Sequence, residues 1–508
     1  MKFFPVKKLA CASLVVLMLS SCFKNILEEK NKSAYPLSAV DGKALIVDAY
    51  DKMAAIASDR QWYLMTETAS DNCNFIGSNA RRRQFMSARV DPGNTEVSSI
   101  WDILYGAVSS ANTVLSKIDS SFMNEEESLR IQGEARFLRA FNMFSLVRFF
   151  GDVPMPLKPA QPGDPINPKA SALTIFKQVI EDLKFAGNVL PESYDGQSRG
   201  RATVHAARAL LGKVFLTRAS SAKYNEALNY GGTSADYDSA KVYLTKVVDA
   251  SPHSLLANYS DNFNILTENN AEAIFYIKCL ANGAYRNKNR GAADWAANPN
   301  LYGGNSYAQT ALTKDLLALF STSDSRKQLI VQGPYTTVQG QTYQTTVYSR
   351  NGNASYGNLI FSWKFLDSQN PAADGGVGEG FQLGGVDYPV IRFADVLLML
   401  AEAKYETGDA DALQVLNKVR KRANTGNLSG ISLAEIMKER RRELYLEGHR
   451  WFDLVRTGTL KERVEEAAQT EGPLIHYDAS VVVDLPKEYV FPIPQREVDL
   501  GIPQNQGY

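Results

Sequence analysis

Histidine is scarce in this sequence, with four in 508 residues, so a histidine-rich metal centre is not expected. No cysteine pair stands at zinc-site spacing, and no G-x-S-x-G, H-E-x-x-H or Walker A lysine motif occurs. Charge of one sign is missing too. Lysine plus arginine and aspartate plus glutamate stand at 55 each, so nothing favours a polyanion such as nucleic acid as partner. The arginine runs at 81–83 and 440–442 therefore need local explanations. The glycine-rich GGVGEG at 375–380 imitates a phosphate loop, but Pro371, Asp374 and Phe381 stand where a strand and a helix are required. No cofactor is implied.

What is present begins with an export signal. Lys2, Lys7 and Lys8 precede an apolar run from Leu9 to Leu19, too short to span a bilayer core and matching a secretory signal peptide. The run ends in LSSC, Leu19 to Cys22, which resembles a bacterial lipobox, with cleavage before Cys22 and acylation of its sulfur and new amino group. Each buried CH2 adds about 0.8 kcal/mol, so several chains make a lasting anchor. An ordinary signal peptide with an incidental cysteine is the plainer alternative. Cys11 leaves with the signal and Cys22 is spent on lipid, which leaves Cys73 and Cys279. They either pair or serve as small buried hydrophobes, and spacing does not choose between the two.

Helical periodicity dominates the chain. AARALLGKVFLTRAS, 206–220, places Leu210, Leu211, Val214, Phe215 and Arg218 at three- and four-residue spacing, one buried stripe. YDSAKVYLTKVVDA, 237–250, repeats the pattern, and the two predict a helical hairpin. A second hairpin is predicted over 394–423, broken at Thr407, Gly408 and Asp409. Its alanines allow close helix approach, as in tetratricopeptide repeats, although the period is not sustained. From 281 to 392 the texture changes to Gly, Asn, Tyr and Thr with short β-branched runs such as TYQTTVY, which predicts long loops and a few small strands. The expected fold is mainly α, a helical scaffold with tetratricopeptide-like hairpins and a loop-rich insert.

The densest charge lies in ERRRELYLEGHRWFDLVRTG, 439–458, with five arginines and four acids. A single helix starting near Ser432 would place Ile436, Leu444, Trp451, Phe452 and Val455 on one face, with Gly448 allowing close packing halfway along. Guanidinium forks suit carboxylates, so Glu439, Glu443, Glu447 and Asp453 are natural partners of these arginines within the stretch. A catalytic reading would make His449 a base oriented by Glu447 or Asp453, but no nucleophile motif accompanies it. A structural brace is the better reading.

This stretch, EARFLRAFNMFSLVRFFGDVPMP at 134–156, YPVIRFADVLLMLAEA at 388–403 and the terminal YVFPIPQREVDLGIPQNQGY together resemble the SusD/RagB family of outer-membrane nutrient-binding lipoproteins. Each segment also has a folding role. The first buries a helix stopped by Gly151 and Pro154, and the prolines of the last predict an extended tail running over other elements. The resemblance implies a binding protein, not an enzyme, lipid-anchored in the outer membrane and facing the cell surface. There it would capture an oligosaccharide or other nutrient and pass it to a SusC-type TonB-dependent transporter. It also implies a signal peptide at 1–21, a SusD-like N-terminal helical region at 22–270 and a SusD/RagB C-terminal region at 271–508, packed as one body. Acids follow Cys22 only at Glu28 and Glu29, after Phe23, Lys24 and Asn25, so a periplasm-facing anchor is the alternative orientation.

The shared segments carry no ligand residue. Sugars present flat C–H faces flanked by hydroxyls, which call for aromatic rings beside amides, carboxylates and guanidinium groups. Residues 281–307 interleave Tyr285, Trp295, Tyr302 and Tyr307 with six asparagines and two arginines, and residues 66–85 offer Asp71 and Arg82 in a predicted loop between helices. Tyr285, Trp295, Tyr302, Asp71 and Arg82 are the candidate ligand contacts, although aromatics in long loops also serve to pin them to a scaffold. Two other classes stand beside this one. An envelope adaptor would use its helical hairpins to hold another protein, and a glycosidase would need two carboxylates about 5–9.5 Å apart across a cleft.

Overall fold

Side-chain caps mark where the helices begin. In the computed structural model, Asn94, Asn124, Ser171, Thr203 and Ser432 each accept a backbone N–H from the first turn of the helix that follows, satisfying donors that have no partner inside the helix. The structure describes residues 42–118, 123–161, 163–165, 167–280, 309–333, 335–336, 342–343, 347–348, 355–356, 359–365, 384–471 and 481–508.

The long helices stack in chain order. Gly42–Ser58 and Thr95–Lys117 pack together and against Glu125–Phe150, which is followed by Ala172–Val189, Val204–Tyr224 and Ala235–Ala250, each packed on its predecessor. The last two form the first predicted hairpin. The second, Phe393–Glu406 with Ala412–Arg422, docks its first helix on Ala235–Ala250, so the hairpins continue one stack although 142 residues separate them. The fold is mainly helical, with few short strands.

Four of those strands form an antiparallel sheet in the order Cys73–Phe75, Thr310–Leu312, Ile360–Ser362, Ile330–Gln332. A separate ladder pairs Ala273–Ile277 with Tyr388–Arg392. Both sheets join segments distant in sequence. A continuous cluster of buried apolar side chains runs from Ile46 to Ile502, and at its centre Phe149 lies 4.7 Å from Phe452 while Trp451 stacks on Phe491 at 4.9 Å.

Three expectations are corrected. The 432–455 segment is not one helix: Leu433–Leu444 ends, Leu446 and Gly448 take positive φ of 64° and 79°, and a second helix runs Arg450–Arg456. The tail is not wholly extended, because a short helix, Gln495–Asp499, starts directly after Pro494, where proline's missing N–H costs nothing. Nor does the tail merely skim the surface, since Phe491 and Ile493 are buried and the Phe491 N–H donates to the Phe149 carbonyl at 2.7 Å. Finally, 66–85 is not a loop. It contains the π-helical turn Leu64–Thr68, the strand Cys73–Phe75 and the helix Ala80–Met86. Cys73 and Cys279 are both buried and unpaired.

Candidate functional site

The arginine-rich stretch builds a buried ion-pair network. On the Leu433–Leu444 helix, Glu439 and Glu443 are four residues apart and share one face, where the fully buried Arg326 donates to both through Nη1, at 2.7 and 3.0 Å, while its Nη2 meets Asp324 at 2.8 Å. Arg392 adds a second clamp, with Nε 2.6 Å from Glu447 Oε2 and Nη1 3.1 Å from Glu443 Oε1. Lys364 donates to Glu447 at 2.7 Å. Burial alone would push the Glu443 carboxyl up, but Arg422, Arg392 and Arg326 hold it well below the usual carboxylate range.

Partners for the arginines of the stretch come from inside and from outside it, so the expectation of local pairing holds in part. Arg440 meets Asp453 at 2.8 Å, Arg442 pairs with Glu439, and Arg456 pairs with Asp453. Arg440 also reaches Asp395 at 3.0 Å, Arg456 reaches Glu402, and Arg441 contacts Asn72, Asp315 and the Asp71 carbonyl. Burial, with Lys213 3.5 Å from its Nδ1, drives the His449 pKa well below normal, and the acids proposed to orient it, Glu447 and Asp453, are engaged by Lys364, Arg392, Arg440 and Arg456.

Asp71 belongs to this network. It is 1% exposed, and its carboxylate receives Arg450, Arg441 and Arg463, so the geometry does not support it as a contact for a sugar hydroxyl. Arg82 is placed differently. Asn79 caps the Ala80–Met86 helix by accepting from the Arg81 and Arg82 N–H groups, and this sets the Arg82 side chain, half-buried, across Glu96 (Nε–Oε1 2.7 Å) and Gln309 (Nη1–Oε1 3.2 Å). Gln61 donates to the other oxygen of Glu96 at 2.8 Å, and its own Oε1 is buried with no partner among the described residues. Gln309 directly follows 281–308. Tyr285, Trp295 and Tyr302, like Cys22, lie outside the described residues.

Residues that the sequence did not single out line a pocket of about 270 Å³ among the described residues. They come from the 192–203 connection, the turn at Pro252 and His253, and the 269–276 segment. No periodicity joins these three stretches, so only the fold brings them together. No group of three or more His, Cys, Asp or Glu suited to a metal ion occurs among the described residues.

Two family descriptions match the chain: the SusD family over residues 271–508 and "Starch-binding associating with outer membrane" over residues 25–216. A "SusD-like protein" from Bacteroides ovatus is 26% identical over 474 residues, covering 90% of this chain and 83% of its own. The "Starch-binding protein SusD" of Bacteroides thetaiotaomicron is 24% identical, covering 76% of this chain and 74% of its own. Among solved structures, a "Laminarin binding SusD-like protein" superposes with a TM-score of 0.74 at 25% identity, covering 92% of this chain and 99% of that one.

Proposed function

This chain belongs to the SusD/RagB family, and from that premise we propose that it is a glycan-binding lipoprotein of the outer membrane. It is anchored through Cys22 and hands its ligand to a SusC-type TonB-dependent transporter. It binds and does not catalyse. The observation that carries the reading is the agreement of both family descriptions, in chain order, with relatives whose names record starch and laminarin binding. Among the described residues no helix is long and apolar enough to cross a membrane.

The ligand site of this reading is formed by Arg82 with Trp295, Tyr302 and Tyr285. Supporting it, Arg82 contacts Gln309, the residue that directly follows the aromatic-rich 281–308 segment. A guanidinium held by Glu96 but not fully buried can still donate to sugar hydroxyls, and an indole covers a pyranose face. The test is calorimetric titration of laminarin, starch and xyloglucan oligosaccharides into the purified protein, with co-purification from membranes to identify a bound transporter. Failure to bind any glycan across a broad array, together with no β-barrel partner, overturns it.

A further inference from the structure

The 270 Å³ pocket uses none of the residues of the glycan site just proposed. It lies at the start of the Val204–Tyr224 helix, where Thr203 lines the pocket and caps the helix by accepting from the Ala206 N–H at 3.2 Å. A helix of this length presents partial positive charge at its first turn. Two arginines line the same opening. Arg201 is committed to Glu134, Nη1–Oε2 3.1 Å, whereas Arg199 is exposed and enters no ion pair among the described residues. Glu192 is the opposing charge, exposed on the rim.

The walls are suited to a ring. Tyr276 stands on the Ala273–Ile277 strand, its hydroxyl tied to Asn269, and Tyr194 is tied to Glu134 at 3.2 Å. Gly200, at φ +93°, brings the backbone onto Tyr276; a Cβ there would lie 3.3 Å from the ring and 3.0 Å from Lys278 Cγ. The backbone thus keeps the tyrosine in place. His253 supplies an acceptor. The Ala271 carbonyl 3.1 Å from Nδ1 can only accept, so Nδ1 carries the hydrogen and Nε2 is left with its lone pair. The Asn269 amide completes the polar lining, while that of Asn270 is spent on the Thr267 carbonyl and the Glu272 and Ala273 N–H groups.

We propose that this pocket is a second saccharide site that takes one acidic sugar residue, a uronate, with its carboxylate at Arg199, its ring against Tyr276 and Tyr194, and its hydroxyls on Asn269, Glu192 and His253. The volume suits one ring rather than a chain, being just under the range of about 300–1,000 Å³ typical of small-molecule pockets. The requirement for negative charge separates it from a site for neutral glucans.

The test titrates D-glucuronate, D-glucose and inorganic sulfate into the full-length protein in detergent, read by calorimetry and ligand-observed NMR. Glucuronate should bind wild type at least tenfold more tightly than glucose, and Arg199→Ala and Tyr276→Ala should each weaken it at least tenfold while retaining the wild-type melting temperature. Trp295→Ala should leave glucuronate binding unchanged, so this proposal and the glycan site fail separately. Absence of glucuronate binding, or equal binding of glucose, overturns the proposal. So does sulfate binding as tightly as glucuronate with no effect of Tyr276→Ala, which would leave an anion site only. Loss of glucuronate binding in Trp295→Ala overturns it as well, by merging the two sites.

Discussion

Arg450 and Asp71, 379 positions apart, meet in a two-pronged ion pair, Nε to Oδ1 at 2.7 Å and Nη2 to Oδ2 at 2.8 Å. Arg441 and Arg463 approach the same carboxylate, each at 3.2 Å. Three cations on one buried acid tie the arginine-rich stretch to the segment that leads into the four-stranded sheet. The chemistry that made this stretch look reactive is consumed in holding the fold together.

Arg441→Ala should therefore be a stability mutation. It removes donors from Asn72, Asp315 and the Asp71 carbonyl, and breaking a buried pair by deleting one partner costs about 3–5 kcal/mol. Arg441→Lys should recover only part of this, because one ammonium cannot reproduce a planar fork. Chemical denaturation measures the loss, and glycan affinity of the folded fraction should not change. Wild-type stability combined with lost binding would contradict the brace.

Gly448→Ala should be at least as damaging. Its φ of 79° favours glycine, and an added Cβ would lie 2.3 Å from Trp62 Nε1 and 2.8 Å from the Tyr388 hydroxyl, atoms hydrogen-bonded to each other at 3.0 Å. The Gly448 N–H also donates to Glu67 at 2.8 Å. Backbone strain and overpacking together should cost about 2–5 kcal/mol, seen as a lowered melting temperature with loss of near-ultraviolet tryptophan signal.

These two residues show what the sequence could and could not reveal. Helical hairpins were legible because a stripe at 3.6-residue period needs only local sequence, and Ser432 was legible as a helix start for the same reason. The break at Leu446 and Gly448 was not, since the groups that meet it, Trp62, Tyr388 and Glu67, are all distant in the chain. Asp71 misled because DNCN in a polar setting reads as exposed, and only Arg450, Arg441 and Arg463 reveal that it is buried. Arg82 was recognisable as a candidate, whereas the pocket at Arg199 was not, because its three segments share no pattern.

Asp387 should make the protein lose stability toward alkaline pH. Burial, and then the neighbouring Glu268, push its pKa up to about 8, and it is 7% exposed, its Oδ2 having no hydrogen-bond partner among the described residues. The folded state thus holds this proton more tightly than the unfolded chain. Its contribution is fully present below the unfolded value near pH 4 and is lost as pH rises to about 8. Asp387→Asn mimics the protonated form, so its stability advantage over wild type should grow by up to about 1.4 kcal/mol per pH unit across that window and then level off. Melting curves from pH 4 to 9 that stay parallel would refute this.

Cys22→Ala tests the anchor. With the LSSC cysteine replaced, no sulfur is available for acylation, and the protein should appear in soluble fractions or retain its signal. Intact-mass analysis should show a wild-type species heavier than the cleaved chain by the mass of its acyl groups. A wild-type mass without lipid would remove the anchor from the proposed function.

Arg82 and Trp295 together decide the glycan site. Arg82 is half-buried but Glu96 is buried and would keep only Gln61 as a side-chain donor, so Arg82→Ala should lower stability somewhat, and affinity is to be read on the folded fraction. If its guanidinium meets sugar hydroxyls, affinity should fall about tenfold, which is about 1.4 kcal/mol. Trp295→Ala removes a flat ring that no aliphatic side chain replaces and should cost about 2 kcal/mol or more of binding, with Tyr302→Ala acting in the same direction more weakly. A tryptophan that only pins its loop would lower the melting temperature instead and spare affinity. Calorimetry and melting on the same three variants separate these outcomes, and unchanged affinity in all three, for a glycan that binds wild type, would exclude the Arg82 and 281–308 region as the site.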